Sequence, residues 1–472
     1  MKVVGIIGAG VSGLCAIRQT LASGLTPVVW EQSADLGGTW RLSDDVGVDK
    51  FGLPVHSSMY QNLKCDLPRV MMGLPDFAFP EGEEDFAHHS VVLKYLEDYS
   101  KHFNLLPWIK FGHSVDTVSP VLKEDGQPPA WEVTVTSLAD GATTTTIVDA
   151  LCVCNGHFSV PAIPPVTDIE KFSGKKLHSH DYRDPREYVG CRVLILGAGA
   201  SGLDICVEVS SVADKVYLAH NFPVLIPSEL PSNILQVPSV KRATLDGFIL
   251  NNGQCVEVDT IIYCTGYEYK FPFLSDSCGI CAENNQVKPL YKHIINARYS
   301  TMGFIGIPSR VVVFPLVYYQ VCYFLATLTG QAKLPSVTEM MSLVENGLDD
   351  IRLKGRNKKD YHRLHAEQWD YMEDLALCSG VDPPPAFMKK IWGIVIIRLF
   401  LSFPLFKTYA YKPAEDGTIV ESRNGEILST RWDLMQLAFK QLVRLVWRDF
   451  RNVFWLISSM ILGLATKFFK KD

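Results

Sequence analysis

The chain has no excess of positive charge. Lys and Arg number 45 against 51 Asp and Glu, for a net charge of −6 and a pI near 6.1. That balance argues against nucleic acid as the main partner. Low-complexity tracts are absent, so the 472 residues are free to build two or three domains with full cores. A disulfide framework is missing too. Several of the 12 cysteines (Cys152, Cys154, Cys206 and Cys264 among them) fall in runs that read as buried strands or helices, the pattern of free thiols in a reducing compartment. Cys278-Gly-Ile-Cys281 has no second pair to complete a zinc site. His178-Ser-His180 and His362/His365 lack convincing acidic or cysteine company for a metal. No metal is expected. No redox cysteine pair follows soon after Glu31, which excludes a disulfide oxidoreductase.

What is present is a repeated glycine fingerprint. Gly8-Ala-Gly10-Val-Ser12-Gly13 and Gly197-Ala-Gly199-Ala-Ser201-Gly202 stand 189 residues apart. Each follows a strand-like apolar run, Val3–Ile7 or Arg192–Leu196, and each opens a helix-like stretch. That context turns a weak motif into a dinucleotide site, with a pyrophosphate resting on the helix N-terminus. Reading the N-terminal apolar run as strand and turn also excludes a signal peptide, whose cleavage would destroy the first site. Two sites imply two nucleotide cofactors and hydride transfer between them.

The two units differ 23 residues after their first glycine. In the first unit that residue is Glu31, a carboxylate suited to a ribose 2′-OH, as in FAD or NAD. In the second it is His220, so no carboxylate repels a 2′-phosphate and NADPH can enter. No arginine stands there either, which leaves NAD open.

The expected architecture is α/β, with two Rossmann-type dinucleotide-binding domains. Residues 1–165 and 268–330 form a discontinuous FAD domain, and 166–267 the NADP domain. The helix-like Ser90–Phe103, the strands Trp131–Thr136 and Thr146–Cys154, and the returning Met302–Ile307 and Leu316–Leu328 belong to the first. Residues 331–472 read as a helical C-terminal extension. Within it Ile391–Phe406 is apolar but broken by Arg398 and Pro404. Val453–Thr466 is a 14-residue apolar run flanked by Arg448, Arg451, Lys467, Lys470 and Lys471. That is short of the roughly 20 residues a span needs, but suits a segment lying in a membrane interface. The alternative is a helix packed on the protein's own core.

Further motifs give a family resemblance. Phe172-Ser-Gly174-Lys-Lys-Leu-His178-Ser-His-Asp-Tyr182 fits F-x-G-x-x-x-H-x-x-x-Y just ahead of the second fingerprint. Gly37-Gly38-Thr39-Trp40, Cys154-Asn155-Gly156-His157, Tyr263-Cys264-Thr265-Gly266-Tyr267 and Phe271-Pro-Phe-Leu274 continue the pattern, and Arg431-Trp432-Asp433 matches its tail. The chain resembles flavin-containing monooxygenases, and its short second unit is more similar to plant and invertebrate branches.

The resemblance implies NADPH- and O2-dependent oxygenation of soft nitrogen or sulfur in small lipophilic amines or thioethers, through a flavin C4a-hydroperoxide. Gly8, Gly10, Ser12, Gly13, Glu31, Gly38, Thr39, Trp40, Asp66 and Leu67 would hold FAD. Gly197, Gly199, Ser201, Gly202, Asp204 and His220 would surround NADP. Phe172, Gly174, His178 and Tyr182 would organise the hinge. It further implies the cytoplasmic side of a membrane, that of the endoplasmic reticulum, with the cytosol as the alternative. Baeyer–Villiger chemistry and a flavoprotein without turnover stay open, as does a homo-oligomer.

One departure stands out. Where the family presents an asparagine beside the flavin's reacting edge, this chain has Asp66, in Tyr60-Gln-Asn62-Leu-Lys-Cys-Asp66-Leu67-Pro-Arg69. An ionised carboxylate only accepts hydrogen bonds. The expectation is reduced coupling, with NADPH oxidation ending in H2O2, unless Asn62 substitutes.

Overall fold

The computed structural model describes residues 2–122, 127–222, 230–353 and 357–428. Two large sheets organise the molecule, the first parallel except for an antiparallel edge at Leu290–Phe304 and the second wholly parallel. The first runs in the order Leu290–Tyr291, Ile295–Asn296, Met302–Phe304, Ala150–Val153, Val3–Ile7, Thr26–Glu31, Ile109–Phe111. Its interior strand Val3–Ile7, VVGII, is almost wholly buried, because helices cover the sheet. Helix Val11–Ala22 packs there with the apolar helix Val313–Thr329. The second sheet has the order Ile234–Pro238, Lys215–His220, Arg192–Leu196, Thr260–Tyr263, Lys175–His178, and all four pairings are parallel. The doubly wound α/β class expected from the two fingerprints is the class observed.

Some elements differ from the pattern read in sequence. Thr146–Cys154 is two strands. Thr143–Val148 belongs to an antiparallel three-stranded sheet, and Ala150–Val153 to the parallel one. Asp149 turns the chain between them, its carboxylate accepting from the Val3 amide at 2.9 Å. The C-terminal region contributes helices Val337–Leu353, Gln368–Ser379 and Ala386–Ser402. It also adds a three-stranded sheet, Tyr409–Pro413, Ile419–Arg423 and Glu426–Leu428.

Arg398, which interrupts the apolar run of helix Ala386–Ser402, is buried. It grips Glu421 in a bidentate pair of 2.8 and 2.9 Å, with its guanidinium 4.3 Å above the Tyr409 ring. The charge therefore fixes the helix to the C-terminal sheet. No helix among the described residues is long and apolar enough to cross a membrane. Val453–Thr466 and Arg431–Asp433 lie outside the described residues.

Candidate active site

The site begins with the two glycine turns. Gly8 and Gly197 have left-handed backbones, φ +102° and +112°, which only glycine adopts without strain. A Cβ at either would strike a carbonyl oxygen of the neighbouring strand end, Cys154 O at 2.6 Å or Cys264 O at 2.5 Å. Gly13 and Gly202 let helix and strand close together. A Cβ there would lie 1.9 Å from Gly8 O or 2.0 Å from Gly197 O. The middle glycines face open space instead, with nothing nearer than 3.5 Å to a Cβ at Gly10 or 3.7 Å at Gly199. Each helix thus starts on a bare backbone, at residues with extended φ and ψ and no side-chain cap. A diphosphate fits such a cradle.

The cleft over the first cradle is lined by Gly8, Gly10, Ser12, Glu31, Gly37, Gly38, Thr39 and Trp40, and also by His56, His113, Asn155 and His157. Glu31 is buried at the strand end. Its two oxygens accept from Ala9 N at 2.6 Å and Ser33 N at 2.8 Å, which aims the carboxylate across the turn. The Gly37-Gly38 turn closes from the other side; a Cβ at Gly38 would meet Gly10 Cα at 3.1 Å. Thr39 Oγ1 lies 3.4 Å from Ser58 Oγ, and Trp40 meets Phe314 edge-on at 6.2 Å. Burial pushes the His157 imidazole down to about 4, so it is neutral at pH 7. Its Nε2 has no hydrogen-bond partner and lies in the cleft lining. His56 and His157 went unassigned in the sequence; only the Cys154–His157 motif pointed toward this wall.

In the second unit His220 is buried and both ring nitrogens are engaged. Nδ1 accepts from Phe222 N at 3.2 Å, so Nε2 carries the proton and donates to Gln236 Oε1 at 3.1 Å. The F-x-G-x-x-x-H-x-x-x-Y segment is a packing device as well as a motif. Gly174 must be glycine, because a Cβ would lie 2.4 Å from both Asp259 O and the Phe172 ring. Phe172 packs on Phe248. His178 Nδ1 accepts from His180 N at 3.1 Å, and its ring meets Tyr267 edge-on. Tyr182, also buried, meets Tyr60 of the first unit at 5.4 Å and Tyr188 at 5.8 Å.

Asp66 and Asn62 are not among the residues lining the flavin cleft. Asp66 is not a bare charge. Lys407 Nζ lies 3.0 Å from Asp66 Oδ1 and 3.0 Å from Asp204 Oδ1, and donates to Lys64 O at 2.8 Å. The expectation of an unpartnered carboxylate is corrected on this point: Asp66 is paired with Lys407, which it shares with Asp204. Asn62 Nδ2 donates to Glu208 Oε1 at 2.6 Å. Asp204, expected at the NADP site, is held by Lys407 and by the Tyr60 hydroxyl at 2.6 Å. Leu67 packs against the main core.

The class this fold and these cradles define is a two-dinucleotide flavoprotein. The flavin-binding monooxygenase-like family pattern matches residues 1–224 and 222–462. The flavin-containing monooxygenase FMO GS-OX5 of Arabidopsis thaliana is 36% identical over 398 residues, 80% of this chain and 85% of that one. Senecionine N-oxygenase of Tyria jacobaeae is 33% identical over 424 residues, 89% and 91% of the two chains. The solved S-allyl-L-cysteine S-oxygenase of Allium sativum superposes with a TM-score of 0.81 at 31% identity, over 86% of this chain and 94% of its own. This chain belongs to the flavin-containing monooxygenase family and uses FAD and NADPH.

Proposed function

We propose that the enzyme oxygenates soft nucleophilic nitrogen or sulfur in small lipophilic amines or thioethers. One observation carries the reading: a glycine cradle with Glu31 at its strand end shares the chain with a second cradle that has His220 there. When bound, NADPH supplies a hydride and the reduced flavin activates O2. The chain's own work is to bind, orient and keep dry. We assign FAD to residues 1–165 and 268–330, where strand Met302–Phe304 pairs with Ala150–Val153. NADP falls to 166–267, and 331–472 forms the C-terminal region. Gly8, Gly10, Ser12, Glu31, Gly38, Thr39 and Trp40 line the cleft that would hold FAD, and Gly13 lets the helix close behind them. Gly197, Gly199 and Ser201 would hold NADP, with Gly202 closing helix on strand behind them. The relatives include an N-oxygenase and an S-oxygenase, which favours heteroatom oxygenation over ketone insertion. The Lys407–Asp66 pair removes the motive for an uncoupled oxidase.

The test is product analysis with NADPH, O2 and a thioether, a tertiary amine or a cyclic ketone. Sulfoxide or N-oxide formed in step with NADPH consumption is expected. Lactone from the ketone alone, or H2O2 matching all NADPH consumed, would overturn the reading.

We further propose that Val453–Thr466, with its basic flanks, attaches the enzyme to the cytoplasmic face of an anionic membrane such as the endoplasmic reticulum. The full chain should sediment with phosphatidylserine vesicles and leave them at high salt or when 453–472 is removed. Equal sedimentation of the shortened chain would refute this.

A further inference from the structure

Arg310 is an unassigned cation at the second glycine turn. It belongs to the segment that follows strand Met302–Phe304 of the first sheet, yet its Nη2 lies 3.7 Å from where a Cβ on Gly199 would stand. The segment is fixed on both sides. Ser309 N donates to His362 O at 2.9 Å, and Leu364 N to Ser309 O at 3.3 Å. Arg310 itself has φ +59°, a left-handed conformation that a non-glycine residue rarely adopts. Lys407 holds the nearby Asp66. Arg363, also close, has its own carboxylate partner in Asp360 at 2.6 Å. Arg310 is exposed, and among the described residues it has neither a hydrogen bond nor an ion pair; Asp66 attracts it and Arg363 repels it from a distance. An exposed arginine therefore stands in a left-handed backbone beside a bare helix N-terminus, with its nearest carboxylate, Asp66, paired to Lys407.

We propose that Arg310 binds the diphosphate of the nicotinamide dinucleotide, reaching from the first unit's sheet to close the second unit's cradle. The guanidinium fork suits two phosphate oxygens, and the amides that open helix Ala200–Ser210 meet the same group from the other side. Binding the cofactor then draws the two units together, because one anion is shared between them. The inference rests on the reading that the second cradle takes this cofactor.

The test is equilibrium binding of NADP+ and of NAD+ to the oxidised, FAD-loaded enzyme, by titration calorimetry. Arg310→Gly is the primary variant, since glycine accepts the left-handed backbone and the loop is expected to keep its shape. Arg310→Lys is the second; it keeps the charge and loses the fork. Arg310→Gly should weaken both dinucleotides by the same factor, about 10- to 100-fold, as for a lost charged hydrogen bond. Arg310→Lys should recover part of that loss. Unchanged affinity in both variants would overturn the proposal. So would a loss confined to NADP+, which would put Arg310 on the 2′-phosphate. If the unaltered enzyme binds neither dinucleotide, the cofactor reading itself fails.

Discussion

Gly10→Ala should give a folded protein that purifies without flavin, whereas Gly13→Ala should fail to fold. The two glycines are three residues apart and do different work. A methyl at Gly10 has room: its nearest neighbours are the Gly38 backbone atoms at 3.5 and 3.9 Å. It would project over the open start of helix Val11–Ala22, where the family's diphosphate must approach the backbone. Stability should change little, because extended φ and ψ at Gly10 suit any residue. A methyl at Gly13 would sit 1.9 Å from Gly8 O and 2.8 Å from Gly8 C, both backbone atoms. Neither can swing aside, since strand Val3–Ile7 is paired on both edges. The helix would have to retreat from the sheet it covers, at a cost at least at the upper end of the roughly 1–3 kcal/mol of ordinary overpacking. Flavin-to-protein absorbance ratio and thermal unfolding separate the outcomes. Full flavin occupancy in Gly10→Ala, or an unchanged melting temperature in Gly13→Ala, would contradict the assignment.

That contrast shows which parts of the site a sequence can display. Glycine turn, helix start and Glu31 lie within 24 consecutive residues, and local backbone rules tie them together. The same holds for Gly197 to His220. The remaining groups come from far along the chain, and no local rule connects them. Arg310 reaches Gly199 because the chain returns to the first sheet after completing the second. Arg398 looked like a flaw in an apolar helix until Glu421, the one buried residue of its strand, met it. Asp66 was visible as a departure from the family, but the partner of its charge was not. Its partner is Lys407, an unremarked lysine in the turn Leu405–Thr408.

Lys407→Met is the other change with a large expected effect. The ammonium has three N–H groups and three acceptors: Lys64 O, Asp66 Oδ1 and Asp204 Oδ1. It is fully committed, and its side chain is only 13% exposed. The two carboxylates hold the proton on Lys407 more tightly than usual, despite the burial that opposes the charge. Because its affinity is raised, the stabilisation is complete at neutral pH. It would be lost only as pH rose past the ordinary lysine value of 10.5. Methionine fills a similar volume but leaves Asp66 and Asp204 facing each other across the gap. Both are partly solvated, at 47% and 27% exposure, so the loss should be about 1–3 kcal/mol, not the full cost of a stranded buried charge. The tie also joins three regions: the loop at Tyr60–Arg69, helix Ala200–Ser210 of the second unit and the C-terminal region. Cutting it should lower the melting temperature and raise the H2O2 released per NADPH consumed. Asp66→Asn removes one charge yet keeps an acceptor for Lys407, so alone it should change little. Combined with Lys407→Met it should restore part of the stability, since Asp204 then faces an amide. If Lys407→Met melts and couples like the unaltered enzyme, the lysine is not what makes Asp66 tolerable in this position. If it melts lower and Asp66→Asn restores nothing, charge balance between the two residues is not the reason they occur together.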